Sequence, residues 1–341
     1  MNTVKLGKTG LEVTEIGLGG IPLTRMGTDK AVSLIRHCVN EGITFFDTAY
    51  MYGISQDMMG EGLSPVREKV ILATKSIKRD AAECEREFNE SLAKLKTDYV
   101  DLFQFHNVSK DGEMEEILAP GGAYEFALKA KEQGKIRHIG FSSHHPDHAI
   151  ACCETGKFET VQFPFNFLEA EPGLRVFAAA EKQDMGLIGM KPLGGGLLNR
   201  ADLCFRFLQG HPKVLPIPGI QDQEEIDEIL GLYRNRRPLD QNDEKDIQAF
   251  KDSLGTRFCH RCGYCMPCTV GIDIPRVMLF KTTGSNFPFE QVKPLYAEPM
   301  AQVDECIECG ECLGKCPYDL PIPEMLKECQ ALYNKALAAN K

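Results

Sequence analysis

The chain has 341 residues, enough for one large domain and a small one. Its 39 Lys and Arg against 49 Asp and Glu give a net charge of −10, a sign that repels phosphate backbones and excludes general nucleic-acid binding. Hydrophobic residues make up 43% and no apolar run reaches the ~18 residues of a transmembrane helix. Met1 to Gly10 lacks the apolar stretch of a signal peptide, so a cytoplasmic protein is expected.

From about residue 15 to 220, short apolar runs alternate with helix-like stretches. The runs are Glu15–Gly20, Ile43–Thr48, Val70–Lys75, Val100–His106, Ile136–Ser142, Thr160–Asn166, Gly186–Lys191 and Val214–Gly219. Each is mostly apolar on consecutive positions, as in strands buried on both faces of a parallel sheet. Between them, Asp29–Asn40, Ala81–Leu95, Tyr124–Gln133, Leu174–Gln183, Ala201–Gln209 and Glu224–Tyr233 space apolar residues three and four apart, the period of amphipathic helices. Eight strands alternating with helices over roughly 250 residues is the arithmetic of a (β/α)8 barrel. A doubly wound open sheet also alternates, but Gly17, Gly19 and Gly20 have the wrong spacing for its dinucleotide fingerprint. After Asp240 the alternation stops. A polar helix, Asp243–Leu254, leads into a cysteine-rich tail, and the domain boundary is placed between residues 255 and 256.

In such a barrel the chemistry sits at the carboxyl ends of the strands. ITFF ends in Asp47, with Tyr52 five residues on; VILAT runs into Lys75; VDLFQF ends in His106. Each alone has an ordinary structural reading, as an N-cap or a solvated surface group. Together they fit carbonyl reduction. The phenol of Tyr52 could donate a proton to a carbonyl oxygen, but its usual pKa of ~10 is too high for exchange at pH 7. A cationic Lys75 nearby would lower that value, and Asp47 would hold Lys75 charged. His106 could donate a hydrogen bond to the same oxygen.

The segments GITFFDTAYMYG (Gly42–Gly53), ILATK (Ile71–Lys75) and TDYVDLFQFH (Thr97–His106), the opening VKLGKTGLEVTEIGLG and the stretch KVLPIPGI closely resemble the aldo/keto reductase superfamily. The resemblance covers about residues 3 to 235. It implies a TIM barrel with Asp47, Tyr52, Lys75 and His106 as the catalytic set, Tyr52 as general acid, and a nicotinamide cofactor across the mouth. Ser142, Ser143 and Gln162 look like the residues that hold its carboxamide, although family members often have Asn at the place of Ser143. Met190, in GMKPLGGG, stands where the family usually stacks a Tyr on the nicotinamide ring; Lys191 and Gly194 could meet a pyrophosphate through charge and backbone N–H groups. After Gly219, where NADP-using relatives place basic residues, the chain has Gln221, Asp222, Glu224 and Glu225. Acids there repel a 2′-phosphate and can accept from a ribose hydroxyl, so NAD(H) is expected over NADP(H). Acids at a helix N-terminus also complement its dipole without any cofactor.

Nine of the 14 cysteines lie between Cys259 and Cys329. The tail reads Cys259-x2-Cys262-x2-Cys265-x2-Cys268 and Cys306-x2-Cys309-x2-Cys312-x3-Cys316-Pro317, the second reproducing bacterial ferredoxin spacing. Zinc ribbons instead use pairs of C-x2-C separated by ~15–20 residues. The tail resembles the dicluster ferredoxin-type module at the end of some aldo/keto reductases. By that resemblance Cys259, Cys262, Cys265 and Cys316 hold one [4Fe–4S] cluster, and Cys306, Cys309, Cys312 and Cys268 the other. The remaining cysteines are expected as small core residues, and His144, His145 and His148 as part of a solvated loop rather than a metal site.

The expected protein is an α/β enzyme: an aldo/keto reductase-like TIM barrel over residues 1–255 and a small helical iron–sulfur domain over 256–341. It reduces a carbonyl or oxidises an alcohol with a nicotinamide cofactor, and its clusters either pass single electrons to or from a partner or a second redox centre or serve a structural role. Hydride moves two electrons and each cluster one, so coupling them normally calls for a flavin-like intermediary. A flavin- or substrate-binding iron–sulfur electron-transfer oxidoreductase without classical NAD hydride transfer and a low-turnover redox-sensing binding module stand as alternatives. The loops Ile21–Arg25 and Asn107–Lys110 are expected to line a pocket whose substrate the sequence does not name.

Overall fold

The structure, a computed structural model, describes residues 1–254, 257–260, 262–283 and 289–340. Contacts divide the chain into two compact units: Met1–Leu193 with Arg200–Asp240, and Gly194–Asn199 with Gln241–Lys341. The boundary expected between residues 255 and 256 lies outside the described residues.

In the first unit a hairpin of β1 (Thr3–Lys5) and β2 (Glu12–Thr14) precedes eight parallel strands. These are β3 (Leu18–Gly19), β4 (Phe45–Asp47), β5 (Ile71–Ser76), β6 (Val100–Phe105), β7 (Ile136–Ser142), β8 (Thr160–Pro164), β9 (Gly186–Met190) and β10 (Val214–Ile217). Each of the eight apolar runs supplies one of them, and neighbours in sequence are neighbours in the sheet. The two edges meet through Gly17 N–H to Pro216 O at 3.0 Å and Gly19 N–H to Pro218 O at 2.8 Å, which closes the barrel. Glycine is required at this seam: a Cβ on Gly19 would lie 2.9 Å from Ile217 O, and one on Gly219 2.5 Å from the Pro22 ring.

Phe45, Ala73, Leu102, Ile188, Leu215 and Ile217 fill the barrel, joined by Leu6 and Val13 from the hairpin. The hairpin plugs the N-terminal end, where Lys8 N–H bonds Asp184 O at 2.5 Å just before β9. Side chains alternate along a strand, so residues two positions after this apolar layer stack above it: Asp47, Lys75, Gln104 and Met190. The opposite faces of the strands pack on helices. Phe103 meets Phe88 of helix Ala81–Lys94 edge-on at 5.5 Å and Phe126 of helix Ala123–Glu132 at 6.2 Å. Truncating a buried Phe at such a junction costs about 3–5 kcal/mol.

In the second unit, helices Ile274–Thr283, Phe289–Gln302 and Ile322–Ala339 enclose a separate core. The last helix presents Ile322, Met325, Leu326, Cys329 and Tyr333 along one stripe, spaced three and four apart. Phe280 meets Tyr296 at 5.2 Å and Tyr333 at 5.3 Å. The cysteine-bearing loops pack against this core.

Candidate functional site

Asp47, ending β4, and Lys75, in β5, are 2% and 1% exposed. Lys75 Nζ donates to both carboxylate oxygens of Asp47 at 2.6 Å and to Thr48 O at 2.7 Å. Gln104 Nε2 donates to Asp47 Oδ1 at 3.4 Å and to Gln162 Oε1 at 2.9 Å. Burial pushes the Asp47 carboxyl up and the Lys75 ammonium down, and each charge opposes the other's shift. The extra bonds from Gln104 and to Thr48 satisfy the pair, which makes a buried ion pair tolerable.

Tyr52 sits on the one-turn helix Tyr50–Tyr52 that follows. Its segment is held by Gly20 N–H to Asp47 O at 2.7 Å, by Thr48 Oγ1 against Ser55 Oγ at 2.9 Å, and by Ser55 Oγ to Gly20 O at 2.9 Å. Lys75 Nζ lies 5.3 Å from the centroid of the Tyr52 ring, and His106 meets that ring edge-on, centroids 5.5 Å apart at 81°. Burial, then the cations of Lys75 and Arg79, holds the His106 imidazole well below its usual range. At pH 7 the ring is neutral, with one donor and one acceptor nitrogen. The four residues expected from strand ends thus meet at one rim.

Behind His106, two loops are locked together. Arg79 Nη2 donates to the backbone carbonyls of His106 at 2.9 Å and Asn107 at 3.1 Å and to Glu113 Oε1 at 3.0 Å. Asn107 N–H donates to Ser142 Oγ at 2.9 Å, and Ser109 Oγ bonds Asn107 Oδ1 at 2.7 Å and lies 3.2 Å from Ser143 Oγ. Ser142 and Ser143 are therefore engaged in the wall that carries His106. Sequence reasoning does not single out Thr48, Arg79 or Gln104. Gln104 carried a signal, a polar residue inside an apolar run and on the strand face of His106 two positions later.

The other expected cofactor residues are spread along the rim and beyond it. Gln162, in β8, turns its Nε2 to Met190 Sδ at 3.8 Å, and Met190 belongs to the barrel interior. Lys191 has φ 56° and its carbonyl accepts from Asn166 Nδ2 at 3.0 Å. Gly194, with φ 56°, falls in the segment grouped with the second unit. Gly219 forms the seam. Gln221 N–H donates to Glu225 Oε2 at 2.7 Å, while Asp222 caps helix Gln223–Arg234 by accepting from Glu225 N–H at 3.0 Å.

In the second unit, Cys259, Cys262, Cys265 and Cys316 line one cavity, with Ile274, Met278 and Leu320. Cys268, Cys306, Cys309 and Cys312 line another, whose wall also includes Cys265. Electrostatics traces the same sets. Burial and then the negative charge of Cys259, Cys262 and Cys316 push the Cys265 thiol up to about 12. The Cys312 thiol is raised by burial and also by Cys268, Cys306 and Cys309. Four sulfurs crowded this way become thiolates together only around a cationic centre. They ring a cavity rather than meet at a point; among the described residues no three His, Cys, Asp or Glu side chains close in on a single metal ion. Cys38, Cys84, Cys152, Cys153, Cys204 and Cys329 are buried in helices, their thiols pushed up to about 11 or 12 by burial. The expected solvated loop does not include His144, which is buried with its Nδ1 3.1 Å from Asn107 Oδ1; His145 and His148 lie ring to ring at 4.6 Å, and His148 Nε2 is 3.7 Å from Asp111 Oδ1.

Comparison with known proteins agrees with both units. Probable aldo-keto reductase 1 from Glycine max is 29% identical over 335 residues, covering 91% of this chain and 90% of its own. An uncharacterized oxidoreductase, YqkF, from Bacillus subtilis is 28% identical over 219 residues, covering 60% of this chain and 68% of its own. Among solved structures, the holo form of aldo-keto reductase AKR11C1 from Bacillus halodurans shares the fold, with a TM-score of 0.63, 22% identity and coverage of 73% and 96% of the two chains. So does an aldo-keto reductase from Klebsiella pneumoniae in complex with NADPH, with a TM-score of 0.61, 21% identity and coverage of 73% and 94%. A 4Fe-4S dicluster domain model matches residues 258–321. The aldo/keto reductase family model matches residues 15–203, more than half of the sequence, and this chain, an oxidoreductase with an added 4Fe–4S dicluster domain, belongs to that family.

Proposed function

We propose that the barrel reduces a carbonyl, or oxidises an alcohol, with a nicotinamide cofactor, and that the two cysteine sets hold [4Fe–4S] clusters that pass electrons singly to or from a partner. The observation that carries the catalytic part is the buried Lys75 ammonium, fixed on Asp47 at 2.6 Å and 5.3 Å from the centroid of the Tyr52 ring. The cofactor supplies or accepts hydride. Tyr52 gives its proton to the carbonyl oxygen, and Lys75 favours the phenolate left behind. Asp47 keeps Lys75 charged, and the neutral His106 donates to the same oxygen. The donor set at the rim fits a carboxamide. Gln104 occupies Gln162 Oε1, and the Gln162 Nε2 group, which rests against Met190 Sδ at 3.8 Å, would turn to a ligand oxygen beside the Ser142 hydroxyl. Met190 would pack under the ring, with Lys191 toward the pyrophosphate.

NAD(H) is the preferred form in this reading. Residues 219 to 233 contain five acids and no Lys or Arg to pair with a 2′-phosphate. The hydrogen bonds of Asp222 and Glu225 keep two of those carboxylates in place. In the second unit, the chemistry of eight thiols around two cavities fits two iron–sulfur clusters, whose ligands would be the two sets above. The test is anaerobic purification followed by titration with NADH and NADPH and assay of Tyr52→Phe against small aldehydes. Loss of turnover in the variant is expected, and near-wild-type rates would remove Tyr52 as the acid. Tighter NADPH binding would overturn the cofactor preference.

A further inference from the structure

We infer that the set Cys268, Cys306, Cys309 and Cys312 is the port through which electrons enter or leave, across a surface centred on Ile307 that docks a one-electron carrier with a basic face. This rests on the reading that the cysteine sets hold clusters. The two sets differ in cover. Cys265 is buried and its companions Cys259, Cys262 and Cys316 are half-buried, whereas Cys309 of the other set is exposed. The first cavity is walled by His260 and Tyr318, whose rings stack 3.6 Å apart at 6°, and by Met278, Leu320 and Ile322. The second is walled on its outer side by Val270, Ile307, Glu308 and Glu311.

Ile307 is 63% exposed and Val270 38%, an apolar centre beside an exposed ligand sulfur. Glu308 takes a left-handed conformation, φ 51°, a costly choice for a non-glycine residue, and Gly310 follows at φ 77°. Between them stands Cys309, its sulfur 3.5 Å from Thr269 Oγ1. Electron exchange needs close approach, and an exposed apolar contact can shed its water on docking. The rim decides the partner. Asp304, Glu305, Glu308 and Glu311 fall within eight positions; Lys327 pairs with Glu308 and Lys315 lies 3.7 Å from Glu311, so four acids meet two cations and the rim keeps a net negative charge. A thiolate-bound cluster adds further negative charge. A second copy of this chain, net −10, would bring like charges together, whereas a carrier with lysines around its redox group is attracted. In each encounter one electron leaves the reduced partner and one enters the oxidised partner, with no bond made or broken.

Cytochrome c, a one-electron acceptor with lysines around its haem edge, and the anion ferricyanide are suitable probes for the reduced, cluster-loaded full chain. At low salt, Glu308→Lys with Glu311→Lys should slow cytochrome c reduction about tenfold and speed that of ferricyanide comparably, the difference fading at high salt. Iron and sulfide content should be unchanged. The same charge reversal at Glu324 and Glu328, whose carboxylates pair with Arg257, should leave both rates near wild type. Equal effects from both pairs, or none from Glu308 and Glu311, would overturn the port. If the wild-type chain reduces neither acceptor, or contains no sulfide, the cluster reading itself fails.

Discussion

Lys75 stands between two partners: its ammonium is 2.6 Å from both oxygens of Asp47 and 5.3 Å from the centre of the Tyr52 ring. The charge that burial disfavours is thereby kept where a phenol can use it. Tyr52→Phe should lower turnover by a factor on the order of 10²–10⁴ while cofactor affinity stays near wild type. Steady-state rates and a fluorescence titration on the same variant separate the two.

Removing Lys75 has a structural consequence as well. Lys75→Met leaves the Asp47 carboxyl buried beside Gln104 without its cation, which should cost about 3–5 kcal/mol of stability. Adding Asp47→Asn removes the orphaned charge, so the double variant should unfold at higher temperature than Lys75→Met alone. Strictly additive losses would show that the two residues do not form a pair.

His106 sets the acid limit of the barrel. Its pKa is depressed in the folded state by burial and by Lys75 and Arg79, so its contribution is fully present above the unfolded value of about 6.5. Below that pH the unfolded chain binds the proton first, and stability falls until the folded imidazole also titrates. His106→Gln should therefore lose less stability than wild type between neutral pH and about pH 5, measured by thermal unfolding in matched buffers. Parallel curves would mean that the ring charges freely in the folded state.

The barrel was legible because each strand is a short apolar run of its own, and the rim because Asp47, Lys75 and His106 end such runs. The helix Ser55–Leu63 was not legible. Gly60 and Gly62 interrupt its apolar pattern, and the reason lies in distant chain: a Cβ on Gly60 would sit 2.2 Å from Lys94 O, and one on Gly62 2.6 Å from the Ile35 side chain. The hairpin that plugs the barrel was hidden in the same way, since Leu6 and Val13 become core only once the strands close around them. Gln104 is the instructive case. Its strand was clear, but its role depends on Asp47 and Gln162, which lie 57 and 58 positions away.

Gln104→Leu keeps the size and loses the amide. Asp47 then loses a donor and Gln162 Oε1 loses its partner, while Gln162 Nε2 keeps its contact with Met190 Sδ. The fold should survive, since a leucine suits the apolar layer below. The expected effect is a loss of about tenfold in kcat/KM, with most of it in cofactor binding if Gln162 orients the carboxamide. Unchanged kinetics would assign Gln104 to packing alone.

Asp101 tests stability away from the rim. Its buried carboxylate accepts from Arg67 at 2.7 Å, from Arg137 at 2.8 Å and from Leu72 N–H at 2.9 Å, tying β5, β6 and β7 together. Both guanidinium groups also lie over the Tyr99 ring, at 4.0 and 4.2 Å from its centre. Asp101→Asn removes the charge that balances two arginines and should cost about 3–5 kcal/mol, leaving the KM of the surviving folded enzyme unaltered. Denaturant unfolding read by far-UV circular dichroism measures the loss.

Cys265 lines both sulfur cavities and is the most buried of the eight candidate ligands, so its replacement probes the second unit most directly. A serine there removes one thiolate from the first set and places a hydroxyl at the wall of the second. Iron should fall from about eight per chain to about four or fewer. Because the cysteine loops pack on the core around Ile274, Met278 and Leu326, loss of the metal should loosen that core as well. Amide exchange by mass spectrometry should then show faster exchange in Ile274–Thr283 and Ile322–Ala339, while β5 and β6 keep their protection. Equal protection in the two helices with and without iron would mean that the apolar core, rather than the metal, holds this unit folded.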